Sequence, residues 1–165
     1  GKTTLVNALK ETKQFKKYNF ATERSKYLNN LGIPLNTDST LKGQTVFLAE
    51  RCAELMNNDI ITDRTVIDVM AFTMNAKSIG HYDKEIFESY AKEFIREYDY
   101  IFYISPHGIP MEDNGVRETD EHYRDIIDFT ITTLIKKYGH MANKIEKISG
   151  STDERVEQIL KFTNL

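Results

Sequence analysis

The sequence predicts an α/β fold carried by a parallel sheet. Short apolar, β-rich runs alternate with longer segments of helical period, which is the pattern of βαβ units. Charged residues also fall directly after the predicted strands, at positions 23, 63 and 106–119. Open parallel sheets hold their ligands at that end of the strands. The 165 residues suffice for one domain with its own core.

The elements follow in order. Residues 2–14 read as a helix, with Leu5, Ala8 and Leu9 on one face. Residues 18–22 read as a short strand. Gly32, Pro34 and Asn36 mark 29–41 as a loop. A helix is expected over 40–56 and a brief strand over 59–62, ending at Asp63 and Arg64. The next helix, 65–79, would be closed by Gly80. Asp83 would cap the one after it, which runs to about Tyr98. The run Tyr100-Ile101-Phe102-Tyr103-Ile104 is apolar throughout, as a buried parallel strand should be. A polar loop at 106–119 carries Pro106, Gly108, Pro110 and Gly115. A helix over 120–138, a strand over 144–148 and a helix over 152–162 complete the chain.

Composition narrows the function. Forty per cent of residues are apolar and 28% charged, an ordinary globular balance. The formal charge, 22 − 25 = −3, gives no general basic footprint for nucleic acid. No apolar run reaches the roughly 18 residues of a membrane span. Cys52 is the single cysteine, so no intrachain disulfide forms and a reducing, cytoplasmic setting is expected. The four histidines show no metal-ligand spacing.

The chain opens Gly1-Lys2-Thr3-Thr4 and continues into an apolar helix. This is the second half of the P-loop pattern G-x-x-x-x-G-K-[ST]. In that motif glycine lets the backbone approach phosphates, and the lysine reaches the β- and γ-phosphates. The hydroxyl after it binds Mg²⁺, and the helix N-terminus offers amide donors. The ordinary alternative is a lysine that merely opens a helix. A P-loop follows a strand, so the leading strand and first glycine are expected to be missing from this sequence.

Two acid-plus-arginine pairs follow strands: Glu23-Arg24 and Asp63-Arg64. A phosphotransferase needs a carboxylate to orient or deprotonate an acceptor hydroxyl, and cations for anionic groups. Each pair has a plainer reading, as a surface salt bridge or, for Asp63, a helix cap. In the 106–119 loop, Asp113-Asn114-Gly115-Val116-Arg117 leads to Arg124, seven residues further on. Arginines on a flap neutralise transition-state charge in phosphoryl transfer, whereas a solvated charged loop would do nothing.

Together these residues resemble the P-loop nucleoside and nucleotide kinases, closest to the AAA-like ATPase/kinase group that includes the ribosylnicotinamide kinase domain of the bacterial NAD-biosynthesis regulator. The matching positions are Gly1-Lys2-Thr3-Thr4, Glu23, Asp63-Arg64-Thr65, Asp113 to Arg117 with Arg124, and Ser149-Gly150-Ser151. The resemblance implies a single domain over 1–165, N-terminally incomplete, with a lid at about 106–119. It implies a three-layer P-loop NTPase fold with sheet order 2-3-1-4-5, counting the missing strand as the first. Gly1, Lys2, Thr3 and Thr4 would serve ATP, Thr3 and Asp63 would serve Mg²⁺, and Gly150 would border the adenine. Lys2, Asp63, Arg117 and Glu23 would be catalytic. Glu23, Arg64, Gln44 and Arg124 would face the acceptor, although Gln44 reads more readily as a solvated helix residue. The expected activity is transfer of the ATP γ-phosphate to a nucleoside- or nucleotide-like small acceptor. The expected alternative is an ATP-hydrolysing switch acting on a protein. Neither a membrane nor a stable nucleic-acid partner is expected, and a homodimer is the candidate assembly.

Overall fold

The computed structural model of the chain describes residues 1–22, 24–108 and 120–165. Its strands are β1 (Asn19–Ala21), β2 (Ile60–Thr62), β3 (Tyr100–Ile104) and β4 (Lys144–Ile148). Its α-helices are α1 (Lys2–Glu11), α2 (Ser25–Asn30), α3 (Leu41–Glu54), α4 (Val66–Asn75), α5 (His81–Ala91), α6 (Glu121–Tyr138) and α7 (Thr152–Thr163).

The strands form two parallel pairs. In the first, Asn19, Phe20 and Ala21 lie opposite Ile60, Ile61 and Thr62. In the second, Tyr100 to Ile104 run in register with Lys144 to Ile148. Each pair is closed by a crossover that contains helices, as parallel strands require. The two pairs are not hydrogen-bonded to each other. A mixed α/β fold with parallel pairing is therefore present, and all four strands end where charged or glycine-rich segments begin.

Two apolar clusters hold the helices. Leu5 and Leu9 of α1 meet Phe15, Ile148 and Ile159, with Phe20, Ile61, Phe102 and Ile104 packed against them. This cluster joins α1 and α7 to both strand pairs. The second centres on α4, whose Val66, Ile67, Met70 and Ala71 are at most 2% exposed. Around α4 lie Leu48 of α3, Phe87 and Ala91 of α5, and Ile127 and Leu134 of α6. Each large apolar side chain so buried contributes about 1.5–3 kcal/mol. That makes α4 the strut on which α3, α5 and α6 are mounted.

Four expected elements differ. Helix α2, which was not expected, runs into the first two residues of the stretch read as loop, and that stretch also holds a 3₁₀ turn at Asn36–Asp38. Asn29, Asn30 and Gly32 hid the short helix, whose apolar anchor is the single buried Leu28. The turn is fixed, since Lys77 N–H donates to Thr37 O and the Ser78 hydroxyl to Ser39 O. Helix α4 stops at Asn75, and Ala76 is extended. Gly80, with φ −67°, is not a helix stop but the N-cap of α5, and Asp83 lies in the first turn of α5 without capping it. Finally, α1 ends at Glu11 and α5 at Ala91, each followed by 3₁₀ turns.

Candidate functional site

The first turn of α1 faces the carboxyl end of β2. The Thr3 hydroxyl donates to Asp63 Oδ2 at 3.1 Å. Asp63 is 7% exposed, and its own N–H donates to Ala21 O, tying it to the end of β1. Gly1, Lys2, Thr3 and Thr4 are exposed around this contact. Helix α1 begins at Gly1 without a side-chain cap and with no acidic residue in its first turn. The N-terminus of a helix carries amide donors and a dipole that favour phosphate oxygens. By contrast α3, α4, α6 and α7 are capped by Thr40, Thr65, Asp120 and Ser151.

The segment after β2 divides its work. Asp63 turns to Thr3. Arg64 turns away, with Nη1 3.6 Å from Asp68 Oδ1 and its guanidinium over the Phe72 ring at 5.2 Å. Thr65 and Asp68 form a capping box on α4. The Val66 N–H donates to the Tyr98 hydroxyl at 3.2 Å. Burial pushes the Tyr98 phenol far above its usual range. Because Thr65 is the cap, the cap reading of Asp63 is excluded.

Helix α3 packs against α4. Gln44 is only 3% exposed, so its reading as a solvated residue is overturned. Gly43 permits this close packing, for a Cβ there would sit 2.9 Å from Ile33 Cγ2. Two turns later the sequence reading missed a charged pair, Arg51 and Glu54. The Arg51 side chain is 3% exposed and its Nη2 lies 2.7 Å from Glu54 Oε1. The seven-residue spacing from Gln44 was the available signal, since it puts both on one face. Arg24 lies beside this pair, with Nη1 3.1 Å from Glu50 Oε1 and its guanidinium over Tyr27.

Glu54 carries the clearest electrostatic mark. Burial pushes its pKa from 4.5 up to about 7; Glu50 and Asp63 push the same way, against Arg51 and Arg24. The folded value lies above the unfolded one, so the extra native-state proton stabilises below pH about 4.5, and that stabilisation is lost as pH rises through about 7. At about 1.4 kcal/mol per unit the rise from 4.5 to about 7 is worth at most roughly 3.5 kcal/mol, and solvent screening lowers what wild type should lose relative to Glu54→Gln across this window. Denaturant melts of both proteins at several pH values measure it. A pH-independent difference would overturn the assignment.

At the other strand pair, Gly150 follows β4 with φ +94°, a conformation that suits glycine. A Cβ there would run into the Glu154 carboxylate, which the Ser151 N–H holds at 2.7 Å. Ser149, Gly150, Glu154, Glu157, Gln158 and Lys161 line an open groove of about 370 Å³. Within β3, the Tyr103 hydroxyl donates to Asp128 Oδ1 at 2.7 Å, and burial followed by this carboxylate pushes its pKa up to about 12. Arg124 lies on the first turn of α6, its Nε 3.9 Å from Asp125 Oδ1. Glu23 and Arg117, with the rest of 109–119, lie outside the described residues.

The structure therefore brings together Thr3 and Asp63, while Gln44 is buried on α3 and Arg64 turns to Asp68 and Phe72. Gly150 and Arg124 belong to other strand and helix ends. A hydroxyl and a carboxylate form an oxygen donor set that suits a hard cation such as Mg²⁺. Among the described residues no group of three or more His, Cys, Asp or Glu gathers, and no helix is long and apolar enough to cross a membrane.

No curated protein and no solved structure matches the chain. The model of one family, described as an AAA domain, matches residues 1–155. An AAA domain is a P-loop NTPase-type, nucleotide-using unit, which agrees with a Gly-Lys-Thr helix start bonded through Thr3 to a buried strand-end aspartate. The chain belongs to this family of AAA domains.

Proposed function

We propose that the domain is a kinase that moves the γ-phosphate of ATP onto a hydroxyl of a nucleoside- or nucleotide-like small molecule. The observation that carries this reading is the Thr3–Asp63 hydrogen bond, which ties the phosphate end of α1 to the strand end bordering the polar wall of α3. The two parallel pairs fit positions 2-3 and 4-5 of a sheet ordered 2-3-1-4-5, with the P-loop strand between them.

Roles then follow. Lys2 and the leading amides of α1 hold the β- and γ-phosphates. Thr3 and Asp63 hold Mg²⁺, which supplies charge neutralisation at the phosphates. With Asp63 engaged by Thr3, Glu23 is left to orient the acceptor hydroxyl and take its proton. The acceptor oxygen forms a bond to the γ-phosphorus as the bond to the β,γ-bridging oxygen breaks and ADP leaves. Arg117 neutralises charge on the transferring group, Arg124 supports it, and Gly150 borders the adenine. Gln44 faces the acceptor.

A second reading, an ATP-hydrolysing switch, draws on the AAA description of the family. An ATP-consumption assay of the full-length protein, with and without nucleosides and nucleoside monophosphates, separates the two. Acceptor-dependent ADP formation with a phosphorylated product is expected. ADP formed at the same rate without any acceptor would sink the kinase reading.

A further inference from the structure

The net charge of −3, which gave no general footprint for nucleic acid, is a sum of unlike parts. Residues 1–18 hold five lysines and one acid, 5 − 1 = +4, so residues 19–165 carry 17 − 24 = −7. Apart from Lys2, these lysines are Lys10, Lys13, Lys16 and Lys17, close together in the chain. All four are exposed. Among the described residues none of them is ion-paired, whereas Arg24, Arg51, Arg64 and Arg96 each face a carboxylate.

The fold holds the four lysines on one turn. Phe15 is 3% exposed and meets Tyr18 edge to face, which pins the turn leaving α1 by its apolar side. The Lys16 N–H donates to Lys13 O, and the Tyr18 N–H to Phe15 O. Side chains three apart eclipse in such 3₁₀ geometry, which sets Lys13 beside Lys16. The Asn19 N–H then donates to Asp59 O, tying the far end of the run to the chain that enters β2. Glu11 and Asp59 adjoin the run and offset part of its charge. The patch therefore lies at the amino ends of β1 and β2. The 10 residues of α1, a length of about 15 Å, separate it from Thr3 and from Asp63 at the carboxyl end of β2.

The surface itself discriminates among anionic partners. Protein interfaces centre on apolar and aromatic side chains and are depleted in lysine. Helices that lie on membranes insert an apolar face. Here α1 buries Leu5, Val6 and Leu9 inside the domain, and none of the large exposed apolar side chains described lies in residues 1–18. A nucleic-acid backbone asks for charge alone, because lysines bind it by releasing its counterions. The run holds no arginine to read the edge of a base.

We infer that Lys10, Lys13, Lys16 and Lys17 form a binding site for the phosphate backbone of nucleic acid, without preference for sequence. The site is separate from the proposed phosphate transfer and does not rest on it.

The test is fluorescence anisotropy of a labelled, mixed-sequence DNA duplex titrated with the full-length protein at several salt concentrations. With four phosphates neutralised, Kd should rise about 100-fold between roughly 50 and 200 mM salt. Lys10→Gln, Lys13→Gln, Lys16→Gln and Lys17→Gln together should weaken binding at low salt by about tenfold or more and remove most of the salt dependence. Lys13→Gln with Lys16→Gln should remove about half of it, which keeps the test available if the fourfold variant does not fold. A control with glutamine at the exposed Lys26, Lys42, Lys77 and Lys136 changes the net charge equally and should keep the salt dependence of wild type. Thermal melts identify the variants that fold. An absence of binding by wild type at low salt overturns the inference, as does an equal loss in the patch variant and the control. Tighter binding to phosphatidylserine–phosphatidylcholine vesicles than to the duplex, lost with the same lysines, would assign the patch to a membrane surface and overturn it as well.

Discussion

Lys2→Ala in the full-length protein is expected to lower turnover by about 10²–10³-fold, the usual cost of removing a donor aimed at developing charge. The melting temperature should hardly move. Lys2 is exposed, and the buried residues of α1 are Leu5, Val6 and Leu9, on the opposite side of the first turn's work. Substitutions at exposed positions change stability by about 0.5 kcal/mol or less. The two measurements belong together, because a loss of activity accompanied by a lower melt would report unfolding and not chemistry. Full activity in the variant would remove the P-loop assignment.

Asp63→Asn should reduce kcat by about 10²-fold or more, as for a positioned base or metal ligand. Asparagine has the same shape and can still accept the Thr3 hydroxyl, so the 3.1 Å link and the backbone bond to Ala21 survive. What is lost is the negative charge. The stability cost should be small for the same reason, and because Thr65, not Asp63, caps α4. Normal kinetics with a depressed melt would return Asp63 to a structural role. Steady-state ATP consumption alongside a thermal melt decides between them.

Much of the fold was legible because its signals are local. The apolar run at Tyr100–Ile104, read as a buried strand, depends on neighbouring residues alone. The elements that were missed answer to tertiary contacts. Helix α2 is six residues long and offers the core one buried side chain, too weak a periodicity to read. Gly80 has a stop residue's identity, but here it opens a helix, because α4 had already ended five residues earlier. The same division runs through the site. Gly1-Lys2-Thr3 and Asp63 could be named from strand ends and motif spacing, whereas the contact between Thr3 and Asp63 spans 60 positions. Gln44 was misjudged and Arg51 passed over because both are polar residues on a helix of mixed character. Only the packing of α3 on α4 reveals that they are buried.

A genetic screen sees a protein only through lost activity, and here it would return one position that no motif marks. Tyr98 lies in none of the motifs read from the sequence, yet its hydroxyl receives the Val66 N–H, three residues beyond Asp63. Phenylalanine at 98 would keep the ring and its packing while leaving that amide unanswered inside the core. The first turn of α4 would then loosen where it meets the strand end. Such a lesion would look like an active-site allele in the assay and like a core allele on the map, and both descriptions would be correct.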